Sequence, residues 1–191
     1  MRRVATLTIV SGALTAGLLA AGPAAQAQTT PKAQPAAAQD DLGKEVTVTR
    51  QGSISKERLL ADAKRAGQPY SAKETAAIKA AERCGWYERT QGYKNSAKTR
   101  WLFYVKNRLN WCWDGRYVRS YRANFTAYTY NKNRWVWRGW AQKKVTHPSD
   151  WSYVTSTAQG KFYYTGNRKT YKPYVIIRGY KNGGYRWKAG G

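Results

Sequence analysis

Trp111-Cys112-Trp113-Asp114-Gly115-Arg116-Tyr117-Val118 is the stretch that decides the fold. Aromatic and β-branched residues flank Asp114-Gly115, the strongest short hairpin signal, because both central residues of a type I′ turn need positive φ. A two-residue turn there sets Trp113 opposite Arg116 and Trp111 opposite Val118 on one face, with Cys112 and Tyr117 sharing the other. Working outward, strand-like runs recur at intervals of roughly ten residues between turn residues, the pattern of an antiparallel sandwich or barrel. They lie near 85–90, 100–106, 109–113, 116–124, 125–131, 134–142, 151–158, 161–165, 174–181 and 185–187. Asn182-Gly183-Gly184 signals a second hairpin joining the last two runs. Gly139 interrupts the alternation of Trp135 and Trp137 before Trp140, so a bulge is expected there.

Residues 84–191 therefore form a basic, aromatic-rich β domain. It holds 22 Lys+Arg against only Glu88, Asp114 and Asp150, and all 9 Trp, all 3 Phe and 14 of the 15 Tyr. Residues 45–83 read differently. Glu45–Arg50 alternates as a short strand, and Ser55–Ala66 puts Leu59, Leu60 and Ala63 on one helical face before Gly67. Ser71-x-x-Glu74 is a capping box opening a second helix with Ala77, Ile78 and Ala81 on its face and Gly85 as its stop. Both helices are too short to stand without packing on a neighbour. Residues 28–44 are rich in Ala, Gln, Pro and Thr and read as a disordered tail. The expected fold class is mainly β. It is an antiparallel β-sandwich or open barrel of about 8–10 short strands, preceded by two short helices and that tail.

Residues 1–27 read as a signal peptide: Arg2 and Arg3, an apolar run from Val4 to Ala21, and an Ala25-Gln26-Ala27 cleavage box. Nothing polar precedes the Arg pair at length, which favours the general secretory over the twin-arginine route. The expectation is a secreted protein, extracellular or wall-associated, with no transmembrane span in the mature chain. Export makes Cys84 and Cys112, the only two cysteines, one disulfide. Closing that loop constrains the unfolded chain by roughly 3.6 kcal/mol.

The stretch Trp111–Gly115, with Pro173-Tyr174-Val175-Ile176-Ile177 leading to Asn182-Gly183-Gly184, resembles small secreted, Trp/Tyr-rich, all-β proteins of the actinobacterial type. The resemblance covers residues 84–191 at most. It implies export and an all-β fold and carries over no functional residue.

The whole chain has a formal net charge of +24 at pH 7, so its natural partners are polyanions. One His and two Cys cannot supply an ordinary zinc site, and no cofactor motif is present. In Arg100-Trp101, Arg134-Trp135, Trp137-Arg138 and Arg186-Trp187 the neighbours point to opposite faces, which places Arg in water wherever Trp enters the core. Yet a sandwich of this size has about two dozen interior positions, and aliphatic residues take some of them. Several aromatics must reach the surface, where a ring beside Arg makes a stacking platform. Candidate platform residues are Trp113 and Arg116 at the hairpin tip, and Trp135, Trp137, Arg138 and Trp140. The function that follows is non-enzymatic binding of an anionic glycopolymer of the envelope or matrix. No dedicated nucleic-acid motif is present.

Two other function classes also fit this composition. A disulfide-stapled sandwich with exposed Tyr, Trp and Arg could serve as a protease inhibitor or an antagonist of competitors. A small basic nuclease-like site would use Glu88 as base and His147 as acid, with Arg178 or another Arg holding phosphate. His147-Pro148-Ser149-Asp150 itself reads as a turn, since triad members converge from separate segments.

Overall fold

The computed structural model describes residues 42–191. The signal peptide expected at 1–27 and residues 28–41 of the tail lie outside the described residues. Residues 42–44 do not behave as tail: they open β1 (Leu42–Ser53), which pairs antiparallel with β2 (Arg83–Asn95). The short strand expected at Glu45–Arg50 is thus the middle of a longer one.

Between them stand α1 (Lys56–Arg65) and α2 (Ala72–Ala80). Ser55 caps α1 by accepting from the Arg58 amide, and Ser71 and Glu74 close both bonds of the expected capping box. Gly85 does not stop α2. The helix ends at Ala80, and Gly85 lies inside β2. Leu59, Ile78 and Ala81 pack on Cys84 and Cys112, so the helices cover one end of a sheet. This segment belongs to the fold.

The chain continues through β3 (Trp101–Trp113), β4 (Val118–Thr129), β5 (Trp135–Thr146), β6 (Tyr153–Tyr164), β7 (Lys169–Tyr171), β8 (Tyr174–Tyr180) and β9 (Tyr185–Gly190). The first sheet runs β1-β2-β3-β4; the second runs β5-β6-β8-β9, with β7 also on β6. All neighbours are antiparallel. The two sheets face each other through Val105, Leu109 and Trp111 on one side and Val154, Phe162 and Ile177 on the other.

Most strands are longer than expected. Three expected breaks, after Lys106, Asn124 and Ala158, do not exist. Asn107 looked like a turn residue, yet it sits fully buried on the inner face of β3. Its Nδ2 donates to the carbonyls of Ser156 and Val175, and its Oδ1 accepts from the Ser156 hydroxyl. A buried amide satisfied by the facing sheet breaks the apolar pattern without breaking the strand. Gly160 marks a close approach: a Cβ there would come within 2.8 Å of Trp137, Val105 and Phe162. The bulge at Gly139 is present. Trp137 pairs with Phe162 but Trp140 with Gly160, and Gly139 takes φ +87°. The loop at Asn182–Gly184 joins β8 to β9, with Tyr180 and Gly184 bonded across it.

Cys84 and Cys112 are bonded, directly opposite one another across β2 and β3 with a Cα–Cα distance of 4.0 Å. Both sulfurs lie beneath the helices.

Candidate functional site

Alternation along β6, β8 and β9 sends Val154, Ser156, Ala158, Val175 and Ile177 into the core and the residues between them outward. The outer face of the second sheet therefore collects Lys161 from β6, Arg178 from β8 and Arg186 and Lys188 from β9, with Arg138 and Lys144 from β5. Tyrosines lie among them. Arg178 sits 4.2 Å over the Tyr153 ring and its Nε donates to the Thr155 hydroxyl, while Arg138 lies 5.2 Å over Tyr163. Tyr153 meets Tyr180 edge-on at 6.1 Å.

This face has no acid. From Lys132 to Gly191 the sequence holds 13 Lys+Arg and a single acidic side chain, Asp150. Asp150 is engaged at a turn, where it accepts from the amide and hydroxyl of Ser152. The Ser152 amide, then its hydroxyl, hold the Asp150 carboxyl below the usual carboxylate range. Among the described residues, the ion pairs fall in the helices, the first sheet or the β3–β4 loop. Arg178 and Arg186 are direct cross-strand partners. Like charges so placed destabilise a sheet.

Of the residues expected to form a platform, only Arg138 lies on this face. Trp135 is fully buried, stacked on Tyr164 at 4.2 Å and 4.5 Å from Phe103. It is a core residue, and the expectation of an exposed indole is corrected. Trp137 and Trp140 also turn inward. They meet edge-on at 5.2 Å, with Trp137 against Phe162 and Trp140 against Phe125. Trp137 keeps part of its surface on an open groove of about 590 Å³, shared with Tyr128 and Lys132. Burial wins for these rings because each indole removes a large apolar area from water.

The hairpin tip is corrected too. Trp113 pairs with Val118, not with Arg116, and Trp111 with Tyr121, so the loop holds four residues, Asp114–Tyr117. Asp114 sets this length: its Oδ1 accepts from the amides of Arg116 and Tyr117. Arg116 is exposed, whereas the half-buried Trp113 indole lies on Trp111 and against Gly85 and Gly183. The cation over a ring in this loop is Arg119 over Tyr117, at 5.0 Å.

Partial burial pushes the Asp114 carboxyl up. The Tyr117 amide, the Arg119 guanidinium and the Arg116 amide outweigh burial and hold the group below its usual range. A depressed folded-state pKa contributes stability above the unfolded pKa that is lost as pH falls through the folded value. Acid titration should therefore release this loop below pH about 4. Asp114→Asn should remove that part of the acid limb, as read by loop amide shifts. An unchanged limb would place the acid response elsewhere.

Glu88 and His147 are not brought together. Glu88 lies on the outer face of the first sheet, 3.9 Å from Lys106 Nζ and 4.0 Å from Arg108. His147 stacks on Trp151 at 3.7 Å and neighbours Tyr121, which points to the inner face. Arg178 is on the second sheet, on Tyr153. The three groups of the nuclease-like arrangement thus stand on three separate surfaces. Among the described residues, no three His, Cys, Asp or Glu gather as a metal site, and no helix is long and apolar enough to cross a membrane.

Sequence reasoning missed Lys161, Lys188 and the tyrosines of this face, and it named Arg178 only for a nuclease-like site and Arg186 only as the neighbour of Trp187. The signal was in Tyr174–Tyr180, where every second residue from 174 faces out and Val175, Ile177 and Gly179 face in. Comparisons with protein-family models, with curated proteins and with solved structures gave no match.

Proposed function

We propose that this protein is exported and acts by binding rather than catalysis. Its ligand on this reading is an anionic glycopolymer of the cell envelope, laid across the outer face of the second sheet. The observation that carries the reading is the Arg178–Arg186 pair, two arginines at directly opposed strand positions with no acidic side chain on their face. Such a pair costs the free protein stability. A polymer bearing phosphate or carboxylate groups relieves that cost, and releases counterions as it binds. Tyr153 and Tyr163, each under an arginine, hold those guanidinium groups over the outer face, where they meet the polymer's charges. The leader-like residues 1–27 and the Cys84–Cys112 bond both accord with an oxidising compartment.

The test is binding of the mature protein to isolated cell walls, before and after removal of teichoic acid, between 50 and 200 mM salt. Six engaged cations give a log–log salt slope of about −4, a loss of roughly 300-fold over that range. Arg186→Thr should lower the slope by about 0.7 and weaken binding. It should also raise stability by about 0.2–1 kcal/mol, because the like-charge pair is gone. Equal binding to stripped walls, or wild-type binding by Arg186→Thr, would overturn the reading.

A further inference from the structure

The outer face of the first sheet is also cationic, and it points the opposite way. The helices cover only its Cys84–Cys112 end. Beyond them, Arg108 lies 4.1 Å over the Trp86 ring and Lys94 lies 5.1 Å over Trp101. Tyr104 and Tyr128 stack at 5.1 Å with an 18° tilt, and Trp101 meets Tyr104 edge-on at 5.3 Å. Rings and cations thus alternate over neighbouring strands. Glu88, the one acid in this array, lies within ion-pair reach of both Lys106 and Arg108, and Arg50 stands opposite it on β1. One carboxylate cannot neutralise three cations, so this face too presents net positive charge to an external polyanion.

Between the two outer faces lies the packed core, joined by Asn107 of β3 to Ser156 and Val175. The faces belong to opposite sides of one sandwich about 10 Å thick between sheets. A flat surface carrying anionic polymer can touch one face at a time.

We infer that one molecule of this protein bridges two strands of anionic polymer, gripping one on each outer face. The inference rests on the proposed reading of the second sheet and adds a second, independent surface. Bridging by a two-faced molecule is multivalent binding with a characteristic concentration dependence. Clustering rises while polymer is in excess and falls again once protein saturates every polymer surface.

The experiment uses two populations of beads coated with poly(glycerol phosphate), each with its own fluorophore, and scores mixed clusters across protein concentration. Wild-type protein should give a bell-shaped curve. Lys161→Thr/Arg186→Thr/Lys188→Thr disables the second face, and Lys94→Thr/Lys106→Thr/Arg108→Thr disables the first. Each should still bind beads through its intact face, more weakly than the wild type, yet lose at least about tenfold of the mixed clusters. Thermal melts verify folding, and Lys106→Thr alone is the milder first-face variant should the triple variant melt early. Lys143→Thr/Lys169→Thr/Lys172→Thr removes the same charge from other exposed positions and should bridge like the wild type.

Undiminished clustering by the first-face variants would overturn bridging while leaving the second-face reading intact. Clustering that falls equally in the control variant would reduce the effect to charge neutralisation and overturn it as well. Wild-type-like binding and clustering by the second-face variant would overturn the assignment of that face, and failure of wild-type protein to bind the beads would overturn both proposals.

Discussion

Trp135→Ala should destabilise the protein by about 3–5 kcal/mol, the range for truncating a large aromatic in a close-packed core. The ring is fully buried against Tyr164, Phe103 and Tyr171, each of which loses a stacked or edge contact. Phe103 in turn touches Phe162 and Tyr93, so the vacancy opens at the centre of an aromatic cluster shared by both sheets. Such a cluster collapses poorly around a hole, which favours the upper part of the range. Trp135→Phe should cost less than about 1.5 kcal/mol, because most of the volume stays. It also removes an indole N–H that is buried without a hydrogen-bond partner. Denaturant unfolding of both variants, beside polymer binding at a temperature where each is folded, separates stability from recognition. Normal stability of Trp135→Ala with lost binding would return this residue to the ligand surface.

The second large effect concerns the disulfide. Replacing both Cys84 and Cys112 by Ala should cost about 3–4 kcal/mol, because a loop of this length loses its constraint in the unfolded chain. For a chain of this size the melting temperature should fall by on the order of 10 °C. The sulfurs lie under Leu59, Ile78 and Ala81, so reductant reaches them only when the helices lift. Reduction of the wild type should accordingly be slow in the folded protein and accelerate with mild denaturant, as read by thiol release. Rapid release from native protein would mean that the helices do not cover the bond. An unchanged melting temperature in the double variant would mean that the sheet and helix packing alone hold this end.

The capping box at Ser71–Glu74, the bulge at Gly139 and the hairpin at Asn182–Gly184 were all legible in the sequence. Each is written in the chemistry of a few neighbouring residues. Strand lengths were not, because Asn107 and Gly160 serve contacts with the facing sheet that local pattern does not contain. The Asp114 loop failed for a related reason. Asp114-Gly115 permits a two-residue turn, but two amide bonds to Asp114 Oδ1 hold four residues instead.

By itself, the sequence determined the β class, the single cysteine pair, the helical segment and a cationic surface. Alternation, turn residues, two cysteines and an excess of Lys and Arg are properties of the chain before it folds. Only the tertiary structure decided which aromatics are buried and which cations share a face. Trp135 and Arg178 both sit in alternating strands, yet one enters the core and the other faces outward. What sends them apart is the register of each strand against its neighbour, and register is settled by packing two sheets together.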